Sequence, residues 1–312
     1  MLRKKVSVVI ATYNRAELLR QCLISLFKAR GVEDCAEVIV VNNRSTDHTQ
    51  KVIDELVTVY PSIIYVEEAT PGLSHARNKG INTASGDIVA FIDDDVEIDE
   101  GWLDALLAAF ADPDVAAVGG KVLPPKGVEI PEWLPPIRMY LLSIFDYGDE
   151  LRPYTKKECL PGGNMAVRRW VFEKVGVFTT CLGRRQHKLL GGEEVELYHR
   201  IIANKGKVLY QPSMIVYHKI GERINPEWIL NYAYFLGRSE FRIEILRGLK
   251  LRLLIKACRS VFYRYLPFLG QKELALTTRR RFELCVRRRQ AEGYLDELCS
   301  VLGIRVGRGV DA

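Results

Sequence analysis

The 312-residue chain lacks any uninterrupted apolar run of about 18 residues, which excludes a conventional transmembrane helix. No C-x-x-C pair occurs among its seven cysteines, at positions 22, 35, 159, 181, 258, 285 and 299. The odd count and the scattered spacing remove support for a disulfide framework and for a structural zinc site. Free thiols in a reducing compartment are the expectation. The apolar stretch after Met1-Leu-Arg-Lys-Lys5 is too short for a signal-peptide core, and no small-residue cleavage site follows it. A protein that stays in the cytoplasm is expected. There is no internal repeat at solenoid spacing and no low-complexity tract. With 48% hydrophobic and 27% charged residues, disorder, collagen and coiled coil are excluded as whole-chain readings.

What is present is unevenly charged. From Trp228 onward, 17 Lys/Arg stand against 8 Asp/Glu, a net of +9 within a total of +6. The preceding residues are therefore mildly acidic. That asymmetry predicts two regions: a domain over residues 1–227 and a basic helical extension over 228–312.

The first part alternates strand and helix signals. Val6–Ala11, Val38–Val41, Ile63–Val66, Ile88–Ile92 and Val115–Val118 are short, β-branched, apolar runs that predict buried strands. Between them, apolar residues recur at helical spacing, as in Leu19, Cys22, Leu23, Leu26 and Phe27. Asn14 with Glu17 has the spacing of a capping box. Ser45 or Thr46 is placed to cap the next helix, and Ser74 the one after. Strands alternating with helices predict parallel βαβ units, an α/β fold with a mostly parallel sheet covered on both faces. The alternation is regular over about residues 1–120 and breaks over about 121–227. After the proline-rich segment from Lys121 to Pro136, Pro161-Gly-Gly-Asn164 predicts a turn before a helix near Arg168–Lys174. Gly191-Gly192 precedes a helix opened by Glu193 and Glu194. Val208–Tyr210 and Met214–His218 predict two late strands.

Ligands in such sheets bind at the carboxyl ends of the strands. Three polar loops lie there: Thr12–Arg15, Asn42–Asp47 and Asp93–Asp95. In extended backbone, Asp93 and Asp95 share a side. They can converge on one ligand while Asp94 points away. An acidic triplet is by default a solvated turn, but its place at the end of a buried strand favours cation or ligand binding. The Asn42–Asp47 loop reads evenly as a base or ribose reader and as an Asx turn with a helix cap. Glu193 and Glu194 suit a helix N-terminus through the macrodipole, or a general base held there. A lone histidine such as His218 is more often packed than ligating.

Taken in order, these motifs resemble family 2 glycosyltransferases. Val6–Arg15 is similar to the family's opening, and Val40–Asp47 to its nucleotide loop. Gly72–Gly80 is similar to its Ala-Arg-Asn block, and Gly86–Asp95 to the run into its Asp-x-Asp metal motif. Pro161–Arg168 resembles the acceptor-side glycine loop, Gly192–Leu197 the Glu-Asp block, and Tyr217-His218 a terminal His motif. The resemblance spans about residues 5–220. It implies a GT-A fold and sugar transfer from a nucleotide-diphosphate donor, a UDP-sugar first, to a glycan or lipid-linked acceptor in polysaccharide or glycoconjugate synthesis.

The resemblance also implies roles. Thr12, Asn42, Asn43, Arg77, Asp93 and Asp94 would hold the donor nucleotide. Asp95, Asp93 and His218 would hold Mn²⁺ or Mg²⁺. Gly162, Gly163 and Asn164 would meet the acceptor. Glu194 would be the base of an inverting reaction, with Glu193 as the competing assignment. The chain departs from the family at Asn42, where an Asp is usual, and at Glu194, whose extra methylene changes its reach. A retaining transferase and a non-catalytic sugar-nucleotide-binding scaffold are the alternatives. In the basic extension, Arg252, Lys256 and Arg259 fall along one helix face, a pattern compatible with a membrane surface or with a solvated helix. No nucleic-acid module accompanies Arg279–Arg281 or Arg287–Arg289, so no nucleic-acid partner is expected.

Overall fold

In the computed structural model, the described residues are 6–154, 158, 160–185, 188–265 and 278–304. Nine strands form one sheet among them. In chain order these are β1 (Val6–Thr12), β2 (Ala36–Asn42), β3 (Ile63–Glu67), β4 (Ile88–Asp93), β5 (Val96–Ile98), β6 (Val115–Leu123), β7 (Arg152–Pro153), β8 (Asn164–Arg168) and β9 (Lys207–His218). The helices are α1 (Ala16–Lys28), α2 (Val32–Cys35), α3 (Thr49–Val59), α4 (Leu73–Thr83), α5 (Trp102–Ala109), α6 (Arg169–Val175), α7 (Glu193–Ala203), α8 (Pro226–Leu246), α9 (Lys250–Tyr265) and α10 (Thr278–Val301).

The chain divides into two compact units. The first comprises Met1–Val128, Ser143–Thr180 and Glu193–Ile220. The second comprises Glu129–Leu142, Cys181–Gly192 and Gly221–Ala312. Two earlier segments, Glu129–Leu142 and Cys181–Gly192, thus group with the C-terminal helices.

In the first unit the strand order is β3-β2-β1-β4-β8-β6-β9-β5, with β7 on β9. Strands β1 to β4 are mutually parallel, as the alternating pattern predicts. Strand β1 lies between β2 and β4, so the connections run outward in both directions from it, and the crevice at its carboxyl end is the natural ligand position. Side-chain alternation splits the core. Val6, Val8 and Ile10 pack with Leu19, Leu23, Leu26, Val52 and Trp102 on one face. Val9, Ile39 and Phe91 pack with Ala76, Phe172 and Leu197 on the other.

The structure departs from the sequence reading at β8, in the late strands and at the helix caps, and it adds the short elements α2, β5 and β7. Strand β8 was expected only as a turn before a helix. It runs antiparallel between β4 and β6. The two late strands are one, β9, with a register shift opposite Gly120/Lys121 that accommodates Pro212. The helix starts are capped from elsewhere. Asp47 accepts from the Ala16 amide at 3.1 Å and from the Thr49 amide at 3.0 Å, so one carboxylate serves both α1 and α3. Asn14 instead accepts from the Thr46 amide at 2.6 Å. Ser74 lies buried inside the first turn of α4.

The second unit is helical. Asn225 caps α8 by accepting from the Glu227 amide at 2.8 Å, with Pro226 at the first helical position. Glu297 of α10 accepts from Arg238 and Arg242 of α8 at 2.6 and 2.7 Å. Tyr294 packs edge-on to Phe241 and donates to Glu244 at 2.8 Å. No helix among the described residues is long and apolar enough to cross a membrane. Cys22, Cys35, Cys181, Cys258, Cys285 and Cys299 are free thiols; Cys159 lies outside the described residues.

Candidate active site

The site builds from strand ends in register. Thr12 pairs with Asn42, and Ala11 with Asp93, so the three polar ends lie level across β2, β1 and β4. Thr12 is buried, and its carbonyl accepts from the Asn43 amide at 2.9 Å. Asn42 accepts from the Ser45 amide at 2.9 Å and donates to the Tyr65 hydroxyl at 3.3 Å. Within the loop, the Asx turn with its helix cap is made by Asp47, which accepts from the Thr49 amide two residues on. Asn43 donates to the carbonyls of Glu68 and Thr70 and accepts from the Gly72 amide at 2.7 Å. With both amide protons and its oxygen engaged, Asn43 clamps the loop ahead of α4.

The acidic triplet does not follow strand alternation, because Asp94 and Asp95 lie in a turn beyond the last residue of β4. Asp94 and Asp95 both reach Arg15, at 2.8 and 2.9 Å. Asp93 turns instead to Arg77, at 3.1 Å. The expected convergence of Asp93 and Asp95 with Asp94 apart is thereby replaced by a buried Asp94–Asp95 pair on one guanidinium. Burial pushes the Asp94 carboxyl up to about 6, against the attraction of Arg15 and with the repulsion of Asp95. His218, at the end of β9 and 1% exposed, sets Nε2 at 3.2 Å from Asp95 Oδ1.

Arg77 is the hub. It lies on α4, almost sealed from solvent, with Phe91 and Phe178 rings 6.0 and 5.5 Å from the guanidinium carbon. It donates to Asp93, to the Gly162 carbonyl at 2.9 Å and to Glu193 at 2.8 Å. One planar fork thus joins the end of β4, the glycine loop and the start of α7. The loop needs glycine at both positions. A Cβ at Gly163 would stand 2.4 Å from Asp93 Oδ2, and one at Gly162 3.2 Å from the Arg77 fork. Asn164 is fully buried. It accepts from the Trp102 indole at 2.9 Å and donates to the carbonyls of Lys121 and Met214 at 2.9 and 2.8 Å. Both amide protons are spent inside the protein and the side chain is sealed from solvent, so Asn164 anchors the loop and does not line it.

The two glutamates separate by environment. Glu193 is buried on Arg77, and its other oxygen, Oε2, has no partner among the described residues. Glu194 keeps a partly exposed side chain. Burial raises its carboxyl to about 8, with repulsion from Glu193 adding and Arg77 opposing. A carboxyl with that poise and some access suits proton acceptance, whereas Glu193 is held on Arg77.

Five carboxyl groups, those of Asp93, Asp94, Asp95, Glu193 and Glu194, face the guanidinium groups of Arg15 and Arg77. That excess of negative charge and the orphaned Glu193 oxygen fit a divalent cation. Among the described residues, no group of three or more His, Cys, Asp or Glu side chains is placed to hold a metal ion. Asp95 and His218 stand next to each other and could offer a cation two donors, while Asp93 is turned to Arg77. Arg15 was the residue that sequence reasoning left without a role. The signal was available: three adjacent carboxylates at a buried strand end require a cation nearby.

Residues 7–176 match the family described as Glycosyl transferase family 2. The chain belongs to that family and is a glycosyltransferase. It is 29% identical over 249 residues to the glucosyl-dolichyl phosphate glucuronosyltransferase of Haloferax volcanii, covering 78% of each chain. It is 30% identical over 242 residues to a pre-mycofactocin glycosyltransferase of Mycobacterium tuberculosis, covering 76% of this chain and 47% of that one. Among solved structures it is similar to the mannosyltransferase PcManGT of Pyrobaculum calidifontis, in complex with GDP-Man and Mn²⁺. That match has a TM-score of 0.60 and 19% identity, over 98% of this chain and 77% of that one. S. aureus TarS 1-349 matches with a TM-score of 0.54 and 17% identity, over 97% and 93%. The fold is that of GT-A glycosyltransferases.

Proposed function

We propose that the chain moves a hexose from a nucleoside diphosphate sugar, a UDP-sugar first, to a hydroxyl of a glycan or lipid-linked acceptor. The observation that carries this reading is the partly open Glu194 carboxyl, set beside the Asp93–Arg77–Glu193 array. The nucleoside would lie over the ends of β1 and β2, against Thr12 and Asn42. Asp93 and Asp94 would take the ribose and diphosphate side. Asp95 and His218, with Asp93, would hold Mn²⁺ or Mg²⁺. Bound there, the cation would offset the charge growing on the departing diphosphate.

Glu194 would accept the proton of the acceptor hydroxyl as its oxygen bonds to the anomeric carbon. The bond from that carbon to the diphosphate oxygen breaks on the opposite side, so the anomeric configuration inverts. Gly162 and Gly163, whose bare backbone lies close to Glu194 and Asp93, would meet the acceptor. The name of the Haloferax relative pairs a glucuronosyl group with a dolichyl phosphate glycolipid, which favours a lipid-linked acceptor in glycoconjugate synthesis here.

The test is release of nucleotide from a panel of UDP-, GDP- and dTDP-sugars with Mn²⁺, with and without polyprenyl-phosphate sugars. Cation-dependent release, lost in Glu194→Gln while nucleotide binding persists, is the expected result. No release from any donor, together with calorimetry showing no cation-dependent nucleotide binding, would reject the catalytic reading. A product of retained anomeric configuration would reject the role given to Glu194.

A further inference from the structure

Helix α9 carries its polarity the opposite way round from a solvated surface helix. Lys256, Ser260, Tyr263 and Arg264 face its own unit. Lys256 pairs with Glu240 and with Glu244, the latter at 2.5 Å. The Tyr263 hydroxyl accepts from Arg287 at 2.9 Å, Arg264 lies 3.6 Å from Asp296, and Ser260 is buried. The apolar residues face outward. Leu251 is 71% exposed, Leu254 63%, Ile255 58%, Val261 46% and Phe262 54%. Residues 251, 254, 255 and 262 recur at helical spacing and make one stripe. Scattered exposed apolar residues are ordinary, but a continuous stripe marks an interaction surface.

The charge along this helix narrows the partner. Its sequence contains five Lys/Arg (Lys250, Arg252, Lys256, Arg259 and Arg264) and no Asp or Glu. Arg252 and Arg259 are exposed and lie together along one border of the stripe. We propose that this face of α9 lies in the interface of an anionic lipid bilayer, with the stripe among the upper acyl chains and the border arginines at lipid phosphates. A second copy would cover the same apolar surface, but a helix without acids offers its twin only like charge at the border. The inference rests on α9 and is independent of the chemistry assigned to Glu194. Such docking would hold a transferase at the surface where a lipid-linked acceptor resides.

The experiment is flotation of the full chain with phosphatidylcholine vesicles, with and without phosphatidylglycerol. Binding to the phosphatidylglycerol vesicles is expected, and it should weaken by roughly tenfold or more in Leu254→Asp/Ile255→Asp and in Arg252→Glu/Arg259→Glu. These side chains are exposed, so circular dichroism melts of both variants should match the parent. Phe262→Trp supplies an independent reading, a blue shift of emission with anionic vesicles. Three outcomes overturn the proposal. One is no flotation of the parent chain together with no shift in Phe262→Trp. Another is flotation that Leu254→Asp/Ile255→Asp leaves unchanged, which assigns lipid contact to other basic segments. The last is self-association in sedimentation that the same variant abolishes and vesicles do not compete away, which assigns the stripe to a second copy.

Discussion

At the scale of single residues, the site separates two adjacent glutamates by what surrounds each. Glu193 is held by Arg77, whereas Glu194 retains a partly open carboxyl raised to about 8 by burial and by Glu193. The sign of the pH dependence follows. The base must be ionised, and a raised pKa means that the ionised fraction is small at pH 6 and grows up to about pH 8. With substrate and cation fixed, kcat/KM should rise about tenfold per pH unit below that value and level off above it. Glu194→Gln should lose about 10²- to 10⁴-fold in kcat and also lose the rising limb. A flat profile in the parent enzyme would remove Glu194 from the base role. Arg77 differs in kind, because it makes a buried ion pair with Glu193 and a partly open one with Asp93, as well as touching the glycine loop. Arg77→Met leaves Asp93 and Glu193 without their counter-charge, which should cost about 3–5 kcal/mol of stability. Thermal denaturation of that variant, compared with Arg77→Lys, checks this. Lysine should restore charge but not the fork, and so should recover only part of the loss.

At the scale of elements, the critical contacts join segments far apart in sequence, and that decides what could be read in advance. The strand runs were legible because each is apolar on both faces, as a covered sheet requires. The end of β4 and the start of α7 were legible because acidic residues there follow an apolar run or a glycine pair. Strand β8 was not. Its five residues lie between a glycine turn and α6, and its pairing with β4 and β6 is set by neighbours 43 or more residues away, as the Asn164 bonds to Lys121 and Met214 illustrate. Arg15 escaped notice for the same reason, since its carboxylate partners lie 79 and 80 residues on. Asn164→Ala tests how much β8 depends on those bonds. It strands the Trp102 indole proton and two backbone carbonyls in the core, at about 1–3 kcal/mol each. A lowered melting temperature is expected, with a fall in activity because the glycine loop leads into this strand. In the helical unit, α8 and α10 meet backbone to backbone. A Cβ at Gly237 would stand 1.9 Å from the Gln290 carbonyl, and one at Gly293 1.9 Å from that of Tyr234. Gly237→Val should therefore destabilise that pair by about 1–3 kcal/mol or more, read as a lower midpoint in the helical circular dichroism melt.

At the scale of the whole molecule, the charge of +6 conceals opposite fields. The helical region is strongly basic, while the active site gathers five carboxyl groups around Arg15 and Arg77. A nucleoside diphosphate alone meets net repulsion there, because its own charge has the sign of the site. A divalent cation alone finds an incomplete donor set. Together they complement each other, the cation offsetting the carboxylates and the phosphates completing its coordination. Stability should report this coupling without any turnover. Ligand binding to the folded state adds RT ln(1 + [L]/Kd), about 2.7 kcal/mol at a hundredfold excess over Kd. The melting temperature with UDP and Mn²⁺ together should therefore rise by several degrees, more than the sum of the two separate shifts, and EDTA should return it to the UDP-only value. Arg15→Met should shrink the shift, because the unscreened Asp94–Asp95 pair then takes up a proton in place of the cation. An equal shift from UDP in the presence of EDTA would separate nucleotide binding from the cation and leave the carboxylate cluster to serve the fold alone.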